Sequence, residues 1–272
     1  MKKKLAMLLV GTMMATMLLA GCGEKETKEA PKAAEHVDDQ KTFTVGFDAE
    51  YPPYGYMDEN GEYTGFDLEL AEAVCELEGW ELVKKPINWD SRDMELNSGS
   101  IDCIWNGFTM NGREDKYTFS TPYVDNSQVI VVAENSGIQS LEDLSGKTVG
   151  VQAASAALAV LQDEEGQKAL ADTFAALNEF ADYNTAFTEL QAGALDALAI
   201  DIGVANYQIK SRGEGYVILD EAMNKEQYAI GFKKGNKELC DIVNEDLQKL
   251  AEDGTIAELA EKYDIADMVT LK

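Results

Sequence analysis

One histidine, His36, and four cysteines, Cys22, Cys75, Cys103 and Cys240, are the whole supply of imidazole and thiol in this chain of 272 residues. Ser-His-Asp and Cys-His catalysis needs an imidazole base fixed in a fold, and His36 sits in a polar stretch with little to bury. Histidine-based zinc sites fall away with it, and no CxxC pair suggests a redox or metal centre. Cys75 lies in a helical pattern and Cys103 in a strand-like one, so both read as small core residues, while Cys240 falls near the start of a C-terminal helix. One phosphate-binding motif is imitated and fails. Ser145-Gly146-Lys147-Thr148 has the end of a GxxxxGK[ST] loop, but position 141 is Leu where the first glycine belongs, and the segment leads into a strand rather than a helix. An enzyme built from what remains would have to work with carboxylates, Lys, Tyr or Arg. No cofactor and no metal are expected.

The charge narrows the partners. There are 23 Lys and Arg against 50 Asp and Glu, a net charge of −27. Residues 1–21 hold three Lys and no acid, so a chain starting at Cys22 carries −27 − 3 = −30. Affinity for a phosphate backbone comes from cationic side chains, which excludes nucleic acid as a partner. An apolar fraction of 45% is ordinary for a globular protein.

The elements that must position the chemistry follow one local plan, used twice. The first copy opens on Thr44-Val45-Gly46-Phe47-Asp48, a β-prone run entering a polar turn. A helical pattern over residues 66–78 follows, with Leu70, Val74 and Leu77 on one face and Gly79 as its stop. Ser98-Gly99-Ser100-Ile101-Asp102 then leads into the apolar Cys103-Ile104-Trp105-Asn106-Gly107. The second copy opens on Lys147-Thr148-Val149-Gly150-Val151-Gln152 and passes through helical stretches. It ends in Ala192-Gly193-Ala194-Leu195-Asp196 and the strand Ala197-Leu198-Ala199-Ile200-Asp201. This is a βαβ plan with largely parallel sheets, and it predicts two similar α/β lobes. In such sheets ligands bind beyond the carboxyl ends of the strands. The candidates are therefore residues 48–51, 106–109 and 152–155, together with Asp201. At the C-terminus, Asn236 is expected to cap a helix bearing Leu239, Val243, Leu247 and Leu250, stopped by Gly254. Thr255-Ile256-Ala257-Glu258 has the form of a capping box.

The N-terminus reads as an address. Lys2, Lys3 and Lys4 precede the uncharged residues 5–20, too short for a membrane span of about 20 residues. The segment ends Leu19-Ala20-Gly21-Cys22, which resembles the bacterial lipobox. That resemblance implies cleavage before Cys22 and acylation of its sulfur and amino group, an anchor of more than one chain. Residues 23–40 lack aromatics, Ile and Leu and read as a flexible tether, about 25 Å in root-mean-square length.

A series of short motifs runs in order behind this leader: Asp48-Ala49-Glu50-Tyr51-Pro52-Pro53-Tyr54, Gly65-Phe66-Asp67-Leu68-Glu69-Leu70-Ala71, Phe108-Thr109-Met110-Asn111-Gly112-Arg113-Glu114, Phe119-Ser120-Thr121-Pro122-Tyr123 and Asp253-Gly254-Thr255. Over residues 43–262 the series is similar to the family 3 extracellular solute-binding proteins, the polar amino-acid receptors of bacterial ABC importers. The resemblance implies an α/β, two-lobed periplasmic-binding-protein fold of type II, with two mostly parallel sheets flanked by helices and joined by a two-segment hinge. It divides the chain into a signal peptide (1–21), a lipid-anchored tether (22–41), lobe I (42–124 plus 229–270) and lobe II (125–228), with crossings near 123–127 and 227–230. It also implies a monomer, held extracytoplasmically by its lipid anchor, that captures a free L-amino acid and hands it to a membrane ABC permease.

The same resemblance assigns roles within the site. Arg113 grips the ligand's α-carboxylate, with a planar fork that a lysine cannot match. Thr109 supplies a hydroxyl beside it, and Asn106 and Gly107 offer backbone groups. Only four steps separate Thr109 from Arg113, one fewer than the usual family spacing. Asp201 receives the α-ammonium, and Tyr51 and Trp89 sandwich the side chain. Gln152 and Ser155 add contacts where a strand gives way to a helix, although Ala154-Ser155-Ala156 lacks one usual hydroxyl. Asp48 touches the side chain, and with Glu50 nearby this leans towards Gln, Arg, Lys or His. Two other readings share the fold: a cyclohexadienyl-type dehydratase, which also binds a carboxylate through Arg, and a sensory binding module. The leader, the tether and Asp201 facing a cation favour the receptor.

Overall fold

The structure is a computed structural model that describes residues 41–213 and 215–271; the leader, Cys22, His36 and the tether lie outside the described residues. Strand β1 (Thr42–Phe47) is followed by a small antiparallel sheet, β2 (Glu50–Tyr51), β3 (Gly55–Met57) and β4 (Tyr63–Thr64). Helix α1 (Phe66–Glu78) ends at Gly79, whose φ of 68° closes the helix in the left-handed conformation that glycine adopts without strain. Strand β5 (Glu81–Pro86), helix α2 (Arg92–Ser98) and the strands β6 (Cys103–Ile104) and β7 (Tyr117–Phe119) complete this part. Leu70 and Val74 are buried as the helical spacing requires, but Leu77 is exposed, because the packed stripe of α1 ends one turn earlier.

Strand β8 (Val124–Ala133) carries the chain into a second sheet with β9 (Thr148–Gln152), helices α3 (Ala156–Gln162) and α4 (Lys168–Ala171), β10 (Ala176–Phe180), α5 (Tyr183–Gln191), β11 (Ala197–Asp201), α6 (Ile202–Arg212) and β12 (Tyr216–Ile218). The chain returns through β13 (Asn224–Tyr228) to β14 (Gly231–Lys233), then adds α7 (Lys237–Glu252) and α8 (Thr255–Lys262), which pack against α1. The sheets run β5-β1-β6-β14-β7 and β10-β9-β11-β8-β12. In each, the two pairings built by βαβ units are parallel. The antiparallel ones come from chain that has crossed between lobes or turns back at the edge. The fold is thus α/β and two-lobed, with a two-segment hinge: β8 pairs antiparallel with β13, from Val124 opposite Tyr228 to Gln128 opposite Asn224. A third strand of chain reinforces it, since Asp125 N–H donates to Met268 O and Thr270 N–H to Tyr123 O.

Thr148 opens β9, so the glycine-lysine-threonine segment does precede a strand. The three cysteines among the described residues are free and buried. The capping box expected at Thr255 is absent. Gly254, at φ 91°, is the cap residue, its carbonyl accepts from Glu258 N–H, and Thr255 is already helical, so its hydroxyl cannot serve as an N-cap. Asn236 likewise precedes α7 without a side-chain cap bond, and α7 ends at Glu252, two residues before Gly254.

Candidate functional site

The first-lobe half of the site is built from the ends of β1 and β6. Asp48 follows β1, and its N–H donates to Asn106 Oδ1 at 3.0 Å, which ties the two strand ends together. Gly107 has φ 56°, and a Cβ there would lie 2.9 Å from the Tyr51 ring and 3.0 Å from the Tyr228 ring. Its N–H donates at 2.6 Å to Asp67 Oδ2, while Tyr123 OH donates to Asp67 Oδ1 at 2.8 Å. The backbone donor expected for a ligand at Gly107 is therefore committed to Asp67. Burial of Asp67 at the start of α1 pushes its carboxyl up to about 7 against those hydrogen bonds. The following loop is laced to β13: Ala229 N–H donates to Phe108 O, Met110 N–H to Gln227 O and Gln227 N–H to Asn111 Oδ1. Arg113 is half-buried, donates to Thr109 O at 3.0 Å and lies 4.9 Å over the Phe108 ring. Desolvation, then the nearby Arg92, lowers its pKa, and Glu226 and Asp201 oppose that shift.

The hinge supplies the centre. In β8 and β13 alternate residues share a face, so Asn126, Gln128, Glu226 and Tyr228 turn inward while Asp125 and Lys225 stay exposed. The register of β11 sets Asp201 opposite Gln128. Asp201 Oδ1 accepts from Asn126 at 2.8 Å, Gln128 at 2.6 Å and Tyr228 OH at 2.6 Å. Glu226 Oε1 accepts from the same two amides, at 2.9 and 2.7 Å, and from Thr109 Oγ1 at 2.7 Å. Tyr51 OH stands 3.5 Å from Tyr228 OH. Both carboxyls are pushed above the usual range, by burial first and, for Glu226, by the charge of Asp201 next. Asp201 is only 2% exposed, and among the described residues no ion pair reaches it. Glu226, Asn126, Gln128 and Tyr228 escaped the sequence reading. Their signal is the period-two polar pattern of Asn126 and Gln128 facing that of Asn224, Glu226 and Tyr228, which acquires meaning only once the two strands are paired.

The second lobe adds Gln152 at the end of β9 and Ser155, the cap of α3, whose hydroxyl accepts from Leu158 N–H. Helix α3 has only seven residues. Gln152 Nε2 reaches across the cleft to Asp48 Oδ2 at 2.6 Å, and Asn184 likewise donates to Glu50. Asp48 is buried and held up to about 6, by desolvation against the bonds from Glu50 N–H and Gln152. The Trp89 ring meets Phe108 edge-on at 5.7 Å, and the Arg92 guanidinium lies 4.9 Å over it. Asp48 and Trp89 border a cavity of about 680 Å³ together with Glu50, Asp90, Glu179 and Asp182, and no basic residue lines it. Thr109, Arg113 and Glu226 border another, of about 480 Å³, closed by α3. Asp201, Tyr51, Gln152, Asn106 and Ser155 are buried and line neither opening. The cleft thus combines one half-buried guanidinium with three buried carboxylates.

Known proteins are similar to this chain in sequence and in fold. The L-cystine-binding protein TcyJ of Escherichia coli (strain K12) is 30% identical, with 94% of each chain aligned. The arginine-binding extracellular protein ArtP of Bacillus subtilis (strain 168) is 31% identical over 96% of this chain and 98% of its own. The crystal structure of an ABC uptake transporter substrate-binding protein from Streptococcus pneumoniae, with bound histidine, superposes with a TM-score of 0.80 at 34% identity, covering 84% of this chain and 94% of that one. The profile of the bacterial extracellular solute-binding proteins, family 3, matches residues 43–265, and with two lobes meeting across a paired-strand hinge the chain belongs to that family.

Proposed function

We propose that this protein is the extracytoplasmic substrate-binding component of an ABC importer, capturing a polar L-amino acid between its lobes and delivering it to a membrane permease. The observation that carries this reading is Asp201: a buried carboxylate at a strand end, hydrogen-bonded only by neutral groups, whose charge acts on the Arg113 guanidinium. A buried carboxylate without a cation is costly, and an α-ammonium supplies that cation. A free amino acid presents the matching pair on one carbon, its carboxylate going to Arg113. Tyr51, Asn106 and Thr109 on lobe I and Gln152 and Ser155 on lobe II complete the enclosure, with lobe I as 42–124 plus 229–270 and lobe II as 125–228. Asp48 and the acid-lined cavity beside it support a ligand side chain that donates hydrogen bonds or carries positive charge, so Arg, Lys, His or Gln. The arginine and histidine named for two relatives support the same lean. The protein acts as a monomer, and the leader ending at Cys22 supports a lipid anchor on the outer face of the cell membrane.

The test is a thermal-shift screen of the purified protein against the twenty amino acids. A ligand at a hundredfold excess over its Kd stabilises by about 2.7 kcal/mol, or roughly 5–10 °C at about 2–4 °C per kcal/mol for a domain of this size. One basic or amide amino acid should produce such a shift. A flat response to all twenty would end the reading.

A further inference from the structure

Glu226 has no counterpart among the groups needed to bind an amino acid through Arg113 and Asp201, yet it is only 4% exposed and stands at the meeting point of both lobes and the hinge. One of its oxygens accepts from Thr109, Asn126 and Gln128, while Oε2 has only a long contact to Asn224 Nδ2 at 3.4 Å. It also borders the same opening as Arg113 and Thr109. Two consequences follow from donor and acceptor inventories. A carboxylate only accepts, so the Thr109 proton is committed to Glu226 and the Thr109 oxygen offers a ligand lone pairs alone. The NH₂ groups of Asn126 and Gln128 are spent on Asp201 and Glu226, and their carbonyl oxygens, Asn126 Oδ1 and Gln128 Oε1, are buried without a partner. The whole cluster thus presents acceptors and negative charge.

We propose that Glu226 is a specificity-determining residue of the cleft: with Asp201 it forms a doubly acidic, acceptor-only cluster that demands a protonated amine on the ligand, and it turns Thr109 from a carboxylate donor into an amine acceptor. This rests on the amino-acid-binding reading above and deepens it. Selection for the amine comes from two carboxylates rather than one. A ligand that has the carboxylate and side chain but lacks the amine meets repulsion from Glu226 and leaves buried acceptors unfilled.

The experiment is calorimetric titration of the wild type, Glu226→Gln and Thr109→Val with L-arginine, with the guanidino acid lacking its α-amino group, and with agmatine, which lacks the carboxylate. L-Histidine, imidazolepropionate and histamine form a parallel set. Gln at 226 keeps an accepting oxygen and removes the charge. We expect Glu226→Gln to weaken the amino acid and the decarboxylated amine by a similar factor, about tenfold or more, as for the loss of an interaction with a charged group. Binding of the deamino acid should be unchanged or tightened. Thr109→Val should weaken the same two amine-bearing ligands, and less so in the Glu226→Gln background, because the two residues act as one unit. A Glu226→Gln protein that loses affinity equally for all three ligands, or for none, overturns the role of Glu226 while wild-type binding of the amino acid leaves the capture reading standing. If Glu226→Gln does not fold, Thr109→Val carries the comparison alone, and an equal effect on ligands with and without the amine overturns the proposal. A wild type that binds none of the twenty amino acids overturns both readings.

Discussion

Four carboxyls in and around the cleft, those of Asp48, Asp67, Asp201 and Glu226, are held above their ordinary range, and burial is the first cause in each. A group that keeps its proton in the folded state to a higher pH than in the unfolded state makes folding less favourable as pH rises between the two values. For Asp67 the interval runs from 3.8 to about 7. Its contribution is absent below that interval and fully unfavourable above it, with a limiting slope of about 1.4 kcal/mol per pH unit. Asp67→Asn removes the titration but keeps an oxygen for the Gly107 N–H and turns its amide towards the Tyr123 hydroxyl. Urea unfolding from pH 4.5 to 7 should show the variant losing less stability with rising pH than the wild type. Parallel curves would mean that Asp67 is ionised throughout that range.

At the scale of elements, the site is a product of the hinge ribbon and of one loop tied to it. Residues 108–111 hydrogen-bond to Gln227 in β13 and to Ala229 just after it, so the loop that carries Thr109 and leads to Arg113 is fastened to the hinge segment. Gly107 is where that loop turns, with its amide held by Asp67 and two tyrosine rings against its Cα. An alanine there would occupy left-handed backbone, which costs roughly 1–2 kcal/mol for a residue with a side chain, and its methyl would push into buried rings. Gly107→Ala should therefore lower the melting temperature by roughly 4–8 °C, taking about 2 kcal/mol at 2–4 °C each, and should weaken amino-acid binding in calorimetry. Unchanged melting and unchanged affinity together would show that the loop is free to adjust.

For the whole molecule the question is what holds the lobes together. Gln152 to Asp48 and Asn184 to Glu50 bridge the cleft on one side, and Lys210 to Asp264, at 2.8 Å, on the other. Lys210 and Asp264 are 73% and 77% exposed, and such surface pairs contribute about 0–1 kcal/mol. The exposed pair adds little, whereas the buried Gln152–Asp48 bond ends on a carboxylate and holds more firmly. Under the proposed function the ligand's carboxylate and ammonium go to different lobes, so the ligand would favour the closed arrangement over an open one. Small-angle scattering should show a smaller radius of gyration at saturating amino acid. Asp201→Ala should reduce that compaction even at ligand levels that fill lobe I. Tight binding with no change in scattering, matched by no change between dyes on the two lobes, would make the cleft a rigid site.

Much of this protein is written locally in its sequence. Alternation and helical spacing, with glycine stops such as Gly79, gave the two βαβ units, and the rule that ligands sit beyond strand ends led to Asp48, Asn106, Thr109, Gln152 and Asp201. These features depend on a few neighbouring residues, so they can be read from composition and period. The strands β5 and β10, the polar face of the hinge and the Asp67 anchor were not legible in that way. Whether Gly107 could offer its amide was not legible either, because Asp67 lies 40 residues away in the chain. Glu226 and Asn126 are 100 residues apart, and Gln128 and Asp201 are 73 apart. They converge because β8 pairs with β13 on one side and β11 on the other in one register, and a slip of a single residue would turn the same side chains to the opposite face. The sequence alone determined which groups stand at the ends of strands. Tertiary pairing decided which carboxylates share their hydrogen bonds, because non-local register is set by the packing of whole sheets and leaves no short-range pattern in the chain.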